Sequence, residues 1–425
     1  MILNFSAMSF KSSLLAVSVL AVISISCNKN IEESCTDVKS RMNESEYEFL
    51  SVGAPSQLTE AQNSMLASSN DFAFSTITSI HTSVSGSYVY SPVSMTCLLG
   101  LLSEGADGST REEIVNALGF SKGGQQDINE FCRNLIAISK AEKELTLELA
   151  SVVIAEKNFP VLETYKKSAM NWYEAYTVNM DFSDSSSLAA INGWANEKTH
   201  GKIPTVLKNT QENVPAIIMN ALYFKGGWQE PFISDMTKEG GFRPETGAAR
   251  KVIFMKQSAE FMYCEGDSYS AVSLPYKGGN IRMTVVLPKS GYNTSELLRG
   301  MDSKSWNSLL SSMAPATVNV TLPKFNISNN ADMDEILQSL GIGEMFSGNA
   351  DFSNFSECAI RVAKVFQISN ISVDEVGTEA ASVSVALTET SIAPSNPVEF
   401  NADHPFFFAI HTRDTKSILF AGCFR

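Results

Sequence analysis

An α+β fold with antiparallel sheets is predicted for this chain by three observations. Capped helical segments crowd the first half, strand patterns crowd the second, and no linker-like shift or internal repeat interrupts the stretch from Leu58 onward. In order, Ser109-Thr110-Arg111-Glu112-Glu113-Ile114 offers a cap residue before acidic first-turn positions, and Gly119 closes the segment. Ile191, Trp194, Ala195 and Lys198 fall at helical spacing and Gly201 follows them. The later runs Ile281–Leu287, Val318–Leu322 and Ile418–Phe424 read as strands, the first two stopped by Pro288 and Pro323.

Composition removes several function classes. With 425 residues, 44% hydrophobic and 18% charged, the chain can bury a large core and is not a disordered or collagen-like sequence. A net charge of −14 argues against a nucleic-acid partner. The seven cysteines lack CxxC spacing and the four histidines form no HExxH, so no metal site is expected. Phosphate-cradling and nucleophile-elbow motifs are missing as well. No catalytic residues and no cofactor are therefore expected. His404 reads as a backbone cap, and the cysteines after Cys35 as isolated buried thiols.

The N-terminus reads as an export address. Leu14 to Ile25 is an unbroken run of apolar and small residues, too short to span a bilayer but of the right length for the core of a secretory signal. Ser24-Ile25-Ser26-Cys27 resembles the box at which bacterial lipoprotein precursors are cleaved and lipidated on the cysteine. Serine stands at its first position where leucine is commoner. The expected organisation is residues 1–26 as signal peptide, 27–57 as a polar tether lipidated at Cys27, and 58–425 as one domain. An outer-membrane or cell-surface lipoprotein of a Gram-negative bacterium fits this layout, with a periplasmic or secreted form as the alternative.

The segment Gly377 to Ala393 is unusual on its own terms. Thr378, Ala380, Ser382, Ser384, Ala386, Thr388 and Thr390 are all small, while Glu379, Ala381, Val383, Val385, Leu387 and Glu389 between them are larger or charged. Period two with one small face describes a strand able to slide between two others above a packed core. No proline interrupts it before Pro394, so every N–H can join a ladder, and Gly377 supplies a hinge of high conformational freedom. The 15 residues from Gly377 to Ser391 would make a strand of ~50 Å. An ordinary strand or a Ser/Thr-rich loop is the simpler alternative from pattern alone.

Ordered blocks along the chain resemble the serpin family. They are Ser91-Pro92-Val93-Ser94 with Gly105-Ala106 and Thr110–Ile114, then Ile191-Asn192-Gly193-Trp194 through Thr199 to Gly201-Lys202-Ile203. Asn220-Ala221-Leu222-Tyr223-Phe224-Lys225-Gly226 with Trp228 and Pro231-Phe232 is more specific. Leu274-Pro275-Tyr276, Leu322-Pro323-Lys324-Phe325, Leu340-Gly341 and Ala350-Asp351-Phe352-Ser353 follow in family order, then Glu375 to Ala381 and Ala402-Asp403-His404-Pro405-Phe406. The resemblance covers about Leu58 to Arg425. It implies a serpin fold of three β-sheets with about nine helices and an exposed reactive loop.

It also implies a mechanism in which a protease attacks the loop and the cleaved loop inserts into the central sheet. Glu375, Gly377, Thr378, Glu379, Ala380, Ala381, Ser382, Val383 and Ser384 would then form the hinge and inserting strand. Ser91, Ser94, Asn220, Trp228, Lys324 and Gln367 would lie where the sheet opens. Ser91-Pro92 reads equally as a helix cap with proline at the first helical position, Trp228 as plain core, and Lys324 and Glu375 as solvent-facing charges. Gln367 stands where the family commonly has histidine, Ile368-Ser369 replaces the usual lysine–alanine, and Val376 replaces a charged residue.

Counting along the loop as in inhibitory members puts the attacked bond at Ser391–Ile392, with Leu387, Thr390 and Ala393 as neighbouring candidates. No lysine or arginine occurs between Lys364 and Arg413, and no aromatic residue between Phe366 and Phe400. Trypsin-like and deep chymotrypsin-like pockets are poorly served by such a loop, whereas small and β-branched residues suit elastase-like or subtilisin-like serine proteases. Cysteine proteases are a further target class, and a monomer is expected. The competing reading is a non-inhibitory carrier or chaperone, against which Thr378 to Ser384 offers no bulky or proline residue.

Overall fold

In the computed structural model, residues 16–27 (backbone), 58–140, 144–209, 214–377 and 397–425 are described. Nine α-helices and fifteen strands occur among them. The chain opens with β1 (Ala16–Cys27) and continues through α1 (Glu60–Ser83), β2 (Tyr88–Tyr90), α2 (Pro92–Gly105), α3 (Gly108–Ala117) and α4 (Gln125–Lys140). Next come β3 (Thr146–Glu156), α5 (Glu163–Tyr173), β4 (Ala175–Met180), α6 (Ser185–Lys198), β5 (Ala216–Lys225) and β6 (Lys238–Phe242). The remainder is β7 (Arg250–Glu265), β8 (Tyr269–Pro275), β9 (Ile281–Pro288), α7 (Thr294–Arg299), α8 (Ser303–Ser312), β10 (Ala314–Pro323), β11 (Phe325–Asp332), α9 (Asp334–Ser339), β12 (Ile360–Val373), β13 (Val398–Asn401), β14 (Phe406–Thr412) and β15 (Ile418–Phe424).

Local chemistry sets the helix starts. Thr59 caps α1 in a reciprocal box with Gln62, and Ser91 caps α2 through the Ser94 N–H with Pro92 at the first helical position. The α3 start differs from the sequence reading, which put the cap at Ser109. Asp107 holds that position because its N–H donates to the Asp351 carbonyl and its carboxylate pairs with Arg111 at 3.5 Å. A tertiary anchor here overrides the local capping preference.

Three sheets result. One has the order β11-β12-β1-β5-β3-β4. The other two share the sixteen-residue β7, whose first residues carry β6 and whose last carry β8. One of them continues through β10 to β13, and the other through β8, β9, β14 and β15 to β2. Helix α2, buried along nearly its whole length, lies under the six-stranded sheet and joins the main core, while a second cluster around Ile191, Ala195 and Met219 covers the opposite face. The central strand β5 is therefore buried on both sides, which explains its lack of polar alternation.

The core also fixes one pH dependence. His411 in β14 is buried, packed edge-on to Trp306, with Nδ1 donating to the Thr412 carbonyl and Nε2 2.8 Å from the Thr284 hydroxyl. Burial, with Arg282 and Lys416 nearby, lowers its pKa from the ordinary 6.5 to about 4 despite the Thr412 hydrogen bond. The unfolded chain thus takes up this proton first, so stability present above pH 6.5 falls progressively as the pH drops towards 4. A loss of about 1 to 3 kcal/mol is expected across that window. His411→Gln should flatten, but not abolish, the slope in urea titrations at several pH values, because buried His81 is lowered in the same direction.

Candidate functional site

Two groups of residues meet at the six-stranded sheet. The first lies beneath its centre, where Ser91, the cap of α2, and Ser94 in its first turn face β5 and β12. Gln367 of β12 accepts from the Ser91 N–H at 2.9 Å and donates through Nε2 to the Ser91 carbonyl at 3.2 Å. The Ser91 hydroxyl donates to the Leu419 carbonyl at 2.8 Å and also accepts from the Ser94 N–H, so it is cap and network member at once. Ser94 Oγ donates to Asn220 Oδ1 at 2.6 Å, and Asn220 Nδ2 reaches Ser151 Oγ of β3 at 2.9 Å. All five side chains are buried, so the network ties both sides of β1's position to one helix without leaving these groups unpaired. The one amide supplies donor and acceptor together to the Ser91 backbone.

The second group clamps the chain where it leaves β12. Trp228 is buried and stacks on Tyr276 with ring centroids 4.5 Å apart. Its indole N–H donates to the Asp374 carbonyl at 2.9 Å, and its backbone N–H lies 3.4 Å from the Val376 carbonyl. Phe232 N–H donates to the Glu375 carbonyl at 2.8 Å. The Glu375 carboxylate, only 13% exposed, pairs with Lys324 at 2.8 Å and accepts from the Thr237 hydroxyl at 2.9 Å. Burial pushes the Glu375 carboxyl up, but Lys324, a backbone N–H and Thr237 outweigh it and hold the pKa below the ordinary carboxylate value. Burial raises that of neighbouring Asp374, whose carboxylate accepts from the Val376 N–H.

Gly377 ends the described stretch with φ +75°, a left-handed conformation that glycine adopts freely. A Cβ added there would lie 2.4 Å from Gly227 Cα and 2.5 Å from Trp228 N. Residues 378–396, with the small-faced loop from Thr378 through Glu379, Ala380, Ala381, Ser382, Val383 and Ser384 to the Ser391–Ile392 bond, lie outside the described residues.

The structure thus brings Trp228, Lys324, Glu375 and Gly377 together at one end of the sheet and Ser91, Ser94, Asn220 and Gln367 under its middle. Sequence reasoning did not name Thr237, Ser151 or the backbone carbonyls of Asp374 and Val376. A main-chain acceptor leaves no residue-type signature, and an isolated serine or threonine has no spacing that announces a partner. His404 pairs with Asp403 at 2.8 Å, and its other ring nitrogen donates to the Pro288 carbonyl at 2.7 Å. Among the described residues, no group of three or more His, Cys, Asp or Glu side chains could hold a metal ion.

Taken together, fold and site define a protein whose central sheet holds a strand between β5 and β12 and packs a left-handed glycine tightly at one end. The chain matches the family described as "Serpin (serine protease inhibitor)" over residues 67–425 and belongs to that family. It is similar to "Serpin B6" of Macaca fascicularis, 31% identical over 85% of this chain and 99% of the relative. It is also similar to "Leukocyte elastase inhibitor" of Bos taurus, 31% identical over 79% of this chain and 92% of the relative. Among solved structures, human thyroxine-binding globulin superposes with a TM-score of 0.75 and 26% identity, over 85% of this chain and 98% of that one.

Proposed function

We propose that this protein is an irreversible, suicide-substrate inhibitor of elastase-like or subtilisin-like serine proteases. The observation that carries the reading is the position between β5 and β12. These strands take a third strand between them, antiparallel to both, and the Asp374–Gly377 hinge stands at the end from which a cleaved loop would return. The protease's nucleophile attacks the Ser391–Ile392 carbonyl and forms an acyl-enzyme with the loop. Cleavage frees the hinge-side half, which gains ladder hydrogen bonds and burial on insertion and distorts the attached protease before water completes hydrolysis. The protein supplies no catalytic group; its reactive part is a peptide bond on a metastable fold. Export as a lipoprotein after removal of residues 1–26, a tether over 27–57 and a monomeric inhibitory domain over 58–425 complete the reading.

The likeness to thyroxine-binding globulin favours a second reading, a carrier. Loop chemistry separates the two. The processed chain, beginning at Cys27, should form a covalent product with pancreatic elastase or a subtilisin and should not trap trypsin. Mass spectrometry of the released C-terminal fragment should place the cut between Leu387 and Ala393. A fragment beginning outside that window overturns the register, and cleavage without any covalent product favours the carrier.

A further inference from the structure

The position in which the inhibitor reading seats the cleaved loop is held by residues 16–27. Val17 to Cys27 pair with β12 from Ile371 to Ile360, and Ala16 to Ile25 pair with β5 from Lys225 to Ala216, with one irregularity at Ser24/Ile25. The strand starts level with Lys225, two residues before the Gly227–Trp228 clamp, and runs away from the hinge to Ile360. A loop returning from Gly377 would run the same way and use the same backbone groups of β5 and β12. Occupancy by one strand therefore excludes the other.

The sequence of this segment suits both faces of its position. Directly paired residues in an antiparallel ladder share a face. Val17, Val19, Ala21, Ile23 and Ile25 fall on the face of Phe224, Leu222, Ile218 and Val365, which belong to the main core. The smallest of the five, Ala21, falls level with the polar pair Asn220 and Gln367 over Ser91 and Ser94. On the opposite face Leu20 and Val22 are level with Ala221 and Met219 of the second cluster, while Ser18 and Ser24 are level with Asn370 and Lys364. All three serines thus occupy one face, and five of the twelve residues are the β-branched Val17, Val19, Val22, Ile23 and Ile25. An export signal requires a short apolar stretch and no period of two. The match to two different faces is information that export alone does not call for.

We propose that residues 16–27 are an intramolecular plug for the loop's position. A chain that retains them is held with its central sheet filled and is cut by protease as a plain substrate. A chain that lacks them has the position open and can trap. This proposal rests on the loop-insertion reading, and it makes the protein self-silenced for as long as its apolar segment stays attached.

Register supplies the test. In the full 425-residue chain, Ile360→Cys places a cysteine opposite Cys27. Mild oxidation should link the two, identified by peptide mapping against Cys35 as an alternative partner, and the linked chain should form at least tenfold less covalent adduct with elastase than a full chain carrying Leu20→Pro and Val22→Pro. Those prolines remove ladder donors from the plug without touching the loop or its hinge. Hydrogen exchange on the unmodified full chain is independent of either variant's folding and should show residues 16–27 protected. Absence of both crosslink and protection overturns the plug, as does equal trapping by the linked and proline chains. If crosslink and protection appear but neither the proline chain nor the processed chain traps, the plug's seat stands, while its silencing role falls with loop insertion.

Discussion

Under the proposed loop-insertion mechanism, Thr378→Arg is expected to turn an inhibitor into a substrate. Thr378 is the first small-face residue after the Gly377 hinge, so it must enter the sheet before anything behind it can. An arginine there would carry a long cation into a position bounded by β5 and β12, whose paired residues on both faces are largely buried. A buried unpaired charge costs on the order of several kcal/mol, and here it arises at the step that must outrun hydrolysis. Recognition should survive, because the attacked bond lies thirteen residues away. The processed variant should be cut at the parent bond, form little covalent adduct and gain little thermal stability on cleavage. Trapping at the parent's efficiency would mean that insertion does not proceed through this hinge.

Gly377→Val should cost more stability than the same change at a left-handed glycine with open space around it. Gly377 has φ +75°, and the atoms that a Cβ would strike, Gly227 Cα, Trp228 N and the Gly226 carbonyl at 2.7 Å, are all main chain. No flexible side-chain end can give way. A left-handed β-branched residue already costs about 1 to 3 kcal/mol, and relieving the clash pulls Val376 off the Trp228 N–H. Gly341 is the control: its φ is +93°, yet nothing lies within 4 Å of its added Cβ, so Gly341→Val should show the backbone cost alone. Urea unfolding of the two variants should separate them by about 2 kcal/mol or more in the same direction. Equal losses would mean that the Gly226–Trp228 segment does not clamp the hinge.

The fold was legible where one element carried its own signal. Ile418–Phe424 is a strand with the bounds its apolar run suggests, and α6 follows from Ile191, Trp194, Ala195 and Lys198 ahead of Gly201. β5 was not legible from periodicity, since a strand buried on both faces has no polar alternation; only its likeness to a family block marked it. At the site, residue type alone marked Gly377 as a position of conformational freedom, and its backbone is left-handed, but the bond from Trp228 to the Asp374 carbonyl spans 146 residues and leaves no trace in either neighbourhood. Likewise, the Leu14–Ile25 run showed its hydrophobicity at once. The strand over Ala16–Cys27 depends on partners more than 190 residues away in β5 and β12, which no local pattern can specify.

Loop insertion should be visible on a denaturing gel of the processed chain after incubation with elastase. Insertion of the cleaved loop should leave a band that survives boiling in detergent, with the combined mass of the protease and the inhibitor up to the cut near Ser391, together with a free C-terminal fragment. Cleaved fragments alone, or a complex that falls apart on denaturation, would contradict it.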